Sequence, residues 1–344
     1  MKIRPSASFN WVSRDAWLII IARAIRTFAQ SYVAVLLALY LTELGFSLVQ
    51  VGMVLSAGVI GVAAFAFLVG LISDRVGRRN LLVIFSLVSA VSGLALFFVD
   101  EFIPVLLIAF VGSLSTGSGG GGESPAQPLE LASLPDTVLA ERRTDLFAVY
   151  GILARTGTAL GALAAGLPTI YQDLFGVSTL SSFKLMFIGF AVLQIVGAIL
   201  YSLLSSRVES PVEQRGWTNP LELPSRRRIF TLTALFSVDT FTTSMVIQSL
   251  VAYWFSTKFE LEVSSLALVF FLSHLLTAVS LWLAAKISNR FGLLNTMVFT
   301  HIPSSFFLIA AAFAPTAWAA ILFWQIRSFL GQMDTPGRDS YTMA

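Results

Sequence analysis

The stretch GLISDRVGRR, Gly70 to Arg79, closes a long apolar run with a compact, strongly basic turn, and the next apolar run begins directly after it. A second copy lies downstream. Ile72, Ser73, Arg75, Gly77 and Asn80 recur as Ile287, Ser288, Arg290, Gly292 and Asn295, with Asn289 where the first copy has Asp74. Each pair is separated by the same offset as Ile72 and Ile287, and each copy follows the same kind of apolar run. A constant offset over matched surroundings is the mark of an internal duplication, so the chain reads as two related halves.

The composition says where such a chain resides. Hydrophobic residues make up 56% and charged residues 12% of the 344 positions, and mean hydropathy is +0.82. That leaves too few polar side chains to cover a water-soluble globule. Runs near the length of about 20 residues that crosses the hydrocarbon as helix recur at about residues 16–41, 48–72, 80–99, 102–122, 144–168, 182–204, 229–256, 263–286, 293–314 and 317–333. The first run is too long, and too interrupted by Arg23 and Arg26, to be a cleaved signal peptide, so the mature chain is expected to start near Met1. Cysteine is absent, which excludes disulfides, thiolate metal sites and cysteine nucleophiles. The pI near 9.3 resembles a nucleic-acid signal only until the charges are placed. Apart from Arg23, Arg26, Arg155 and Arg327, Lys184 and Lys258 fall on one side and the other 16 Lys and Arg on the other. That is the positive-inside pattern, and it puts the N-terminus and both turns in the cytoplasm.

Six runs precede the longest polar stretch, Ser205 to Arg228, which contains Pro211, Pro220, Pro224 and a closing Arg triplet. It reads as a cytoplasmic linker. The expected organisation is a six-helix half over 1–204, a linker over 205–228 and a second half over 229–344. Only four runs follow the linker. Glu123 to Gln127, just after the fourth run, is echoed by Asp334 to Arg338 just after the tenth, where the first half still has two runs to come. The duplication therefore predicts that an eleventh and a twelfth helix are missing from the C-terminal end.

These residues resemble the major facilitator superfamily of secondary transporters. The resemblance rests on a turn of the form G-x-x-x-D-R-x-G-R-R between the second and third helices, matched by Gly70, Asp74, Arg75, Gly77, Arg78 and Arg79, with a degraded copy after the eighth helix and the linker after the sixth. It implies an all-α polytopic membrane fold whose halves rock about a central site, and a gating role for the turn, Asp74 latching the halves against the eleventh helix. Read directly, Gly77 allows a tight reversal, Asp74 is placed to accept hydrogen bonds from helix-terminal N–H groups, and the arginines anchor the interface.

Ionisable groups at bilayer depth cost about 2.5–3.5 kcal/mol each on insertion scales and therefore face a cavity or a partner. They are Arg23 and Arg26 in the first run, Arg155 in the fifth, Asp239 in the seventh and Arg327 in the tenth, with Glu123 at the cytoplasmic end of the fourth. The duplication overlays the first and seventh runs, which predicts an Arg23/Arg26 pairing with Asp239 across the cavity; snorkelling of both arginines to the interface is the alternative. Gly157 and Gly161 after Arg155 form a G-x-x-x-G spacing suited to close helix packing. This resembles the glycine-rich fifth helix of family drug antiporters, except that Ala162 stands where their motif has proline. Gly331 after Arg327 completes an R-x-x-x-G that the family usually places in its fourth helix. The glycine cluster at 117–122 lacks the Gly-Lys-Ser/Thr of a phosphate loop, and His274 and His301 read as interior histidines.

The expected function is secondary transport of a small solute by alternating access, coupled to protons through Asp239 or Glu123 because ATP-binding signatures are absent. The expected partners are that solute, protons and the bilayer, without nucleic acid, metal or other cofactor, and the expected state is a monomer in the cell membrane. A non-transporting receptor on the same fold and an inactive fragment are the alternatives. An enzyme is not expected, since paired carboxylates, metal clusters and nucleophile-base arrangements are lacking.

Overall fold

A computed structural model describes residues 11–114, 124–139, 143–205, 208–209, 246–291 and 293–333, with scattered positions between 227 and 237. Glu123, Asp239, Gly292, the glycine cluster at 117–122 and most of the linker lie outside the described residues, and Asp74, Asn289 and Arg290 are described only by their helical backbone. The protein is all-helical over what is described. The N-terminal helices are α1 (Arg14–Glu43), α2 (Leu48–Val76), α3 (Arg78–Phe98), α4 (Phe102–Val111), α5 (Gln127–Ser133), α6 (Arg143–Ala164), α7 (Leu167–Phe175) and α8 (Thr179–Ser202). The C-terminal helices are α9 (Gln248–Phe259), α10 (Val263–Phe291), α11 (Leu293–Ala312) and α12 (Ala317–Leu330). Five of the described helices are long and apolar enough to cross a membrane, and α4, α12 and most of α11 are shorter apolar helices.

Local chemistry sets the helix ends. Ser13 caps α1 by accepting the Ala16 N–H at 3.1 Å, and Ser47 with Gln50 forms a capping box at the start of α2. At the basic turn, α2 stops at Val76 and α3 starts at Arg78, so a single residue reverses the chain. That residue is Gly77 at φ +90°, a conformation open to glycine and strained for any other residue. This turn defines one end of the bundle, hereafter the turn end. The other is the far end.

Two departures from the sequence reading concern the fourth run and the fifth. A continuous helix over 102–122 is not formed: α4 ends at Val111, and the chain leaves the helical path at Ser113, which turns to φ +48°. Beyond the fifth run, Pro168 opens the short α7 at the far end. The Gly157–Gly161 packing is formed. A Cβ at Gly157 would meet the Ala24 carbonyl oxygen at 2.5 Å, and one at Gly161 would overlap that of Phe28, so α6 and α1 touch backbone to backbone.

α1 is the central helix, buried on most of its length against α6 and α8, while α2 turns large apolar side chains such as Phe67 outward. The outward shell continues on the C-terminal helices with Phe299, Phe313 and Trp318. In a bilayer such a surface faces lipid, and the buried interior forms where helices meet. Two apolar cores result. The far-end core joins α1, α3, α6 and α8 to α9, α10 and α12 through residues such as Leu37, Phe187, Phe255, Phe270 and Trp324. The turn-end core, built from Ile19, Leu82, Leu129, Leu146, Tyr201 and their neighbours, draws among the described residues only on the chain up to Val208.

Candidate functional site

The buried charge of the N-terminal helices converges on one carboxylate. Glu130 on α5 is fully buried, with Arg26 Nη2 donating to its Oε2 at 2.9 Å and Arg23 Nη1 3.6 Å away. The Tyr150 hydroxyl of α6 donates to Oε2 at 2.7 Å, and the Tyr201 hydroxyl of α8 donates to Oε1. The Arg23 guanidinium also stacks over the Tyr150 ring, 5.2 Å from its centroid. One acidic side chain therefore gathers α1, α5, α6 and α8. Arg26 pairs with Glu130 of the same set of helices, and both arginines are buried rather than snorkelling, while the expected pairing with Asp239 falls on a residue outside the described ones. Since a buried carboxylate and guanidinium are each costly alone, mutual satisfaction accounts for their survival at this depth.

Sequence reasoning missed Glu130 because it lies between the fourth and fifth apolar runs, outside the stretches searched for charges at bilayer depth. Two signals were present. Pro128 after Gln127 is a helix-opening residue, and two arginines three positions apart on one helix call for a nearby acid.

The basic turn is tied down within the N-terminal helices. Glu209, just after α8, accepts the N–H groups of Arg78 at 2.8 Å and Arg79 at 3.2 Å, satisfying the leading amides of α3. The Arg78 side chain reaches the Ala132 carbonyl and that of Arg79 the Ser202 carbonyl, while Arg75 is exposed. A Cβ at residue 77 would lie 2.9 Å from the Glu209 carboxylate, a second reason for glycine there.

Between the N-terminal and C-terminal helices, α1 packs on α9 and α6 on α10. The Ser249 hydroxyl donates to the Ala34 carbonyl across 215 residues of sequence, the same offset that separates the two basic turns. Equivalent positions of the duplication thus meet face to face. A Cβ at Gly166 would lie 3.5 Å from the Ala267 Cβ, at the far ends of α6 and α10. Arg155 lies on α6, and on α12 the Arg327 guanidinium lies 4.9 Å from the Trp324 ring centroid. Among the described residues no group of acidic, His or Cys side chains is arranged to hold a metal ion.

The described helices thus form a bundle with a buried ion pair in its interior and equivalent positions of the duplication in contact between its two groups. The chain belongs to the Major Facilitator Superfamily, whose family profile matches residues 19–333. It is thus an integral membrane transporter and not an enzyme. It is similar to an uncharacterized membrane protein of Saccharomyces cerevisiae, 24% identical over 96% of this chain and 80% of that protein. Among solved structures it shares its fold with the nucleoside transporter NupG (TM-score 0.68, 14% identity, 95% of this chain and 82% of that one). The xylose transporter XylE from E. coli has a TM-score of 0.67 at 13% identity, over 96% of this chain and 84% of that one. A bacterial homolog of the human lysosomal transporter Spinster, in an inward-facing and occupied conformation, has 0.66 at 15% identity, over 100% and 76%.

Proposed function

We propose that this protein moves a small solute across the cell membrane by alternating access, with a six-helix half over 1–204, a linker over 205–228 and a second half over 229–344, acting as a monomer. The observation that carries the reading is the contact between equivalent positions of the duplication: the Ser249 hydroxyl donates to the Ala34 carbonyl, 215 residues away, inside a far-end core that spans both groups of helices. With the basic turn in the cytoplasm, that core closes the outer end, and the Ser249–Ala34 contact lies on the axis about which the halves rock. Proton coupling is assigned to Asp239. Glu130, the described acid at this depth, is already committed to Arg26, Tyr150 and Tyr201.

The test works before any solute has been identified. Proteoliposomes of the purified chain are incubated with a defined mixture of small metabolites under an imposed pH gradient, and the lumen is read by mass spectrometry. Accumulation of one solute above that in protein-free liposomes supports the proposal. Tight binding without accumulation supports a receptor on the same fold instead.

A further inference from the structure

The crossing that begins as α6 is broken near the far end. α6 stops at Ala164 and α7 starts at Leu167, with Pro168 in its first turn. Proline has no N–H, so the Ala164 carbonyl cannot be reached from four residues on. Around the break the backbone reaches back three residues instead: Gly166 donates to the Leu163 carbonyl at 3.1 Å, Thr169 donates to that of Gly166 at 3.2 Å, and the Ala165 N–H is shared between Gly161 and Ala162. Sharp helix kinks, above about 20°, are made at such prolines.

The break coincides with the seam between the two groups of helices. A Cβ at Gly166 would lie 3.5 Å from the Ala267 Cβ and 3.7 Å from the Ser264 Cα, so the break itself rests on α10. Beyond it, α7 packs on α8 of its own group and on α10 of the other. Leu167 and Tyr171 lean on the far-end core and Pro168 is buried, while Ile170, Leu174 and Phe175 are exposed. α7 is also lightly held. Among the described residues one hydrogen bond leaves it for another helix, Gln172 Nε2 donating to Ser182 Oγ of α8 at 3.0 Å. α6, in contrast, is fastened to α1 by the Thr27 hydroxyl on the Ala154 carbonyl, the Ser31 hydroxyl on the Thr158 carbonyl and the backbone contacts at Gly157 and Gly161. The crossing has a clamped inner part and a loosely attached outer part, joined where the helix ladder is interrupted.

We propose, on the transport reading above, that α7 is a hinged lid over the far-end seam, swinging about Ala165 and Gly166 to uncover the solute path while α6 stays clamped to α1. A rigid half would carry α7 along with α8 instead. The nine residues of α7 reach about 13 Å from the hinge, so a swing of about 25°, the size of a proline kink, moves its tip about 6 Å.

The Gln172→Cys/Ser182→Cys chain, with no native cysteine to interfere, allows α7 to be tied to α8 by a short, reducible bis-methanethiosulfonate linker. In proteoliposomes the tie is expected to lower solute accumulation to the level of protein-free liposomes, with recovery on reduction, while each single cysteine treated alike retains it. Undiminished accumulation with the linker complete overturns the lid, because a helix that travels with α8 is not hindered by a link to it. Absence of accumulation even before linking removes the transport reading alone, and spin labels in nanodiscs then decide the hinge. Labels at the exposed Leu174 and Phe98, both at the far end of the N-terminal helices, should give two distance populations differing by up to about 6 Å, whereas labels at Leu185 of α8 and Phe98 give one. Pro168→Ala, whose N–H continues the ladder of α6, should merge the two into one. A single Leu174/Phe98 population in the parent chain, or two that persist unchanged in Pro168→Ala, overturns the lid.

Discussion

Replacing Glu130 by Gln removes the single negative charge that two guanidinium groups and two tyrosine hydroxyls share, and leaves the volume almost unchanged. Arg26 donates to that carboxylate at 2.9 Å and Tyr150 at 2.7 Å, with Tyr201 on the other oxygen and Arg23 at 3.6 Å. The amide oxygen of Gln keeps one acceptor, but its nitrogen now faces donors, and Arg26 becomes a buried cation without a counter-charge. Breaking a buried pair from one side costs about 3–5 kcal/mol. Removing one hydroxyl donor, as in Tyr201→Phe, costs about 1.5–3 kcal/mol, the range for a hydrogen bond to a charged group. The order Glu130→Gln above Tyr201→Phe is therefore the sharper expectation than either magnitude. Denaturation in SDS against micellar detergent measures both. A double-mutant cycle with Arg26→Gln should return a coupling of at least about 1.5 kcal/mol, because neighbours in one network do not add. A loss below about 1 kcal/mol for Glu130→Gln, or additive losses in the cycle, refutes the view that this cluster holds the N-terminal helices together.

Gly161→Leu should abolish monodisperse expression, since even a Cβ would overlap the Phe28 carbonyl oxygen, while Gly151→Ala, with nothing within 4 Å, should be neutral or stabilising by up to about 1 kcal/mol; fluorescence-detected size exclusion separates the two outcomes. Gly77→Ala should destabilise by about 1–3 kcal/mol through its φ of +90° and the nearby Glu209 carboxylate, and Glu209→Ala by about 0.5–2 kcal/mol through loss of the helix cap, both read by SDS denaturation. Asp239→Asn should remove accumulation driven by a pH gradient while solute exchange at equal pH continues; undiminished uphill accumulation removes Asp239 from coupling.

What the sequence made legible was whatever repeats or recurs at helical spacing. The basic turn placed a glycine where the chain reverses within one residue, and Gly77 has the positive φ that this requires. The G-x-x-x-G of Gly157 and Gly161 announced a close helix contact, and α6 presses there on α1. Pairings across long separations were not legible. Arg26 and Glu130 are 104 residues apart, and α5 is too short for its apolar period to stand out, so the acid that satisfies Arg26 was sought in the opposite half. The early stop of α4 was hidden for another reason: Gly112 and Ser113 belong to an apolar run, and nothing in that run marks the positive φ of Ser113 at which the chain leaves the helix. Likewise the acceptor for the leading amides of α3 is Glu209, whose role depends on where α8 delivers it.

The central claim, that solute crosses only when the far-end seam opens, has a direct test in a chain with no native cysteine. A Cβ at Gly166 would lie 3.5 Å from that of Ala267, within the range of a disulfide, so the Gly166→Cys/Ala267→Cys chain should crosslink on mild oxidation. The oxidised protein in proteoliposomes should accumulate no more solute than protein-free liposomes and recover on reduction. Undiminished accumulation with the crosslink complete would contradict the account.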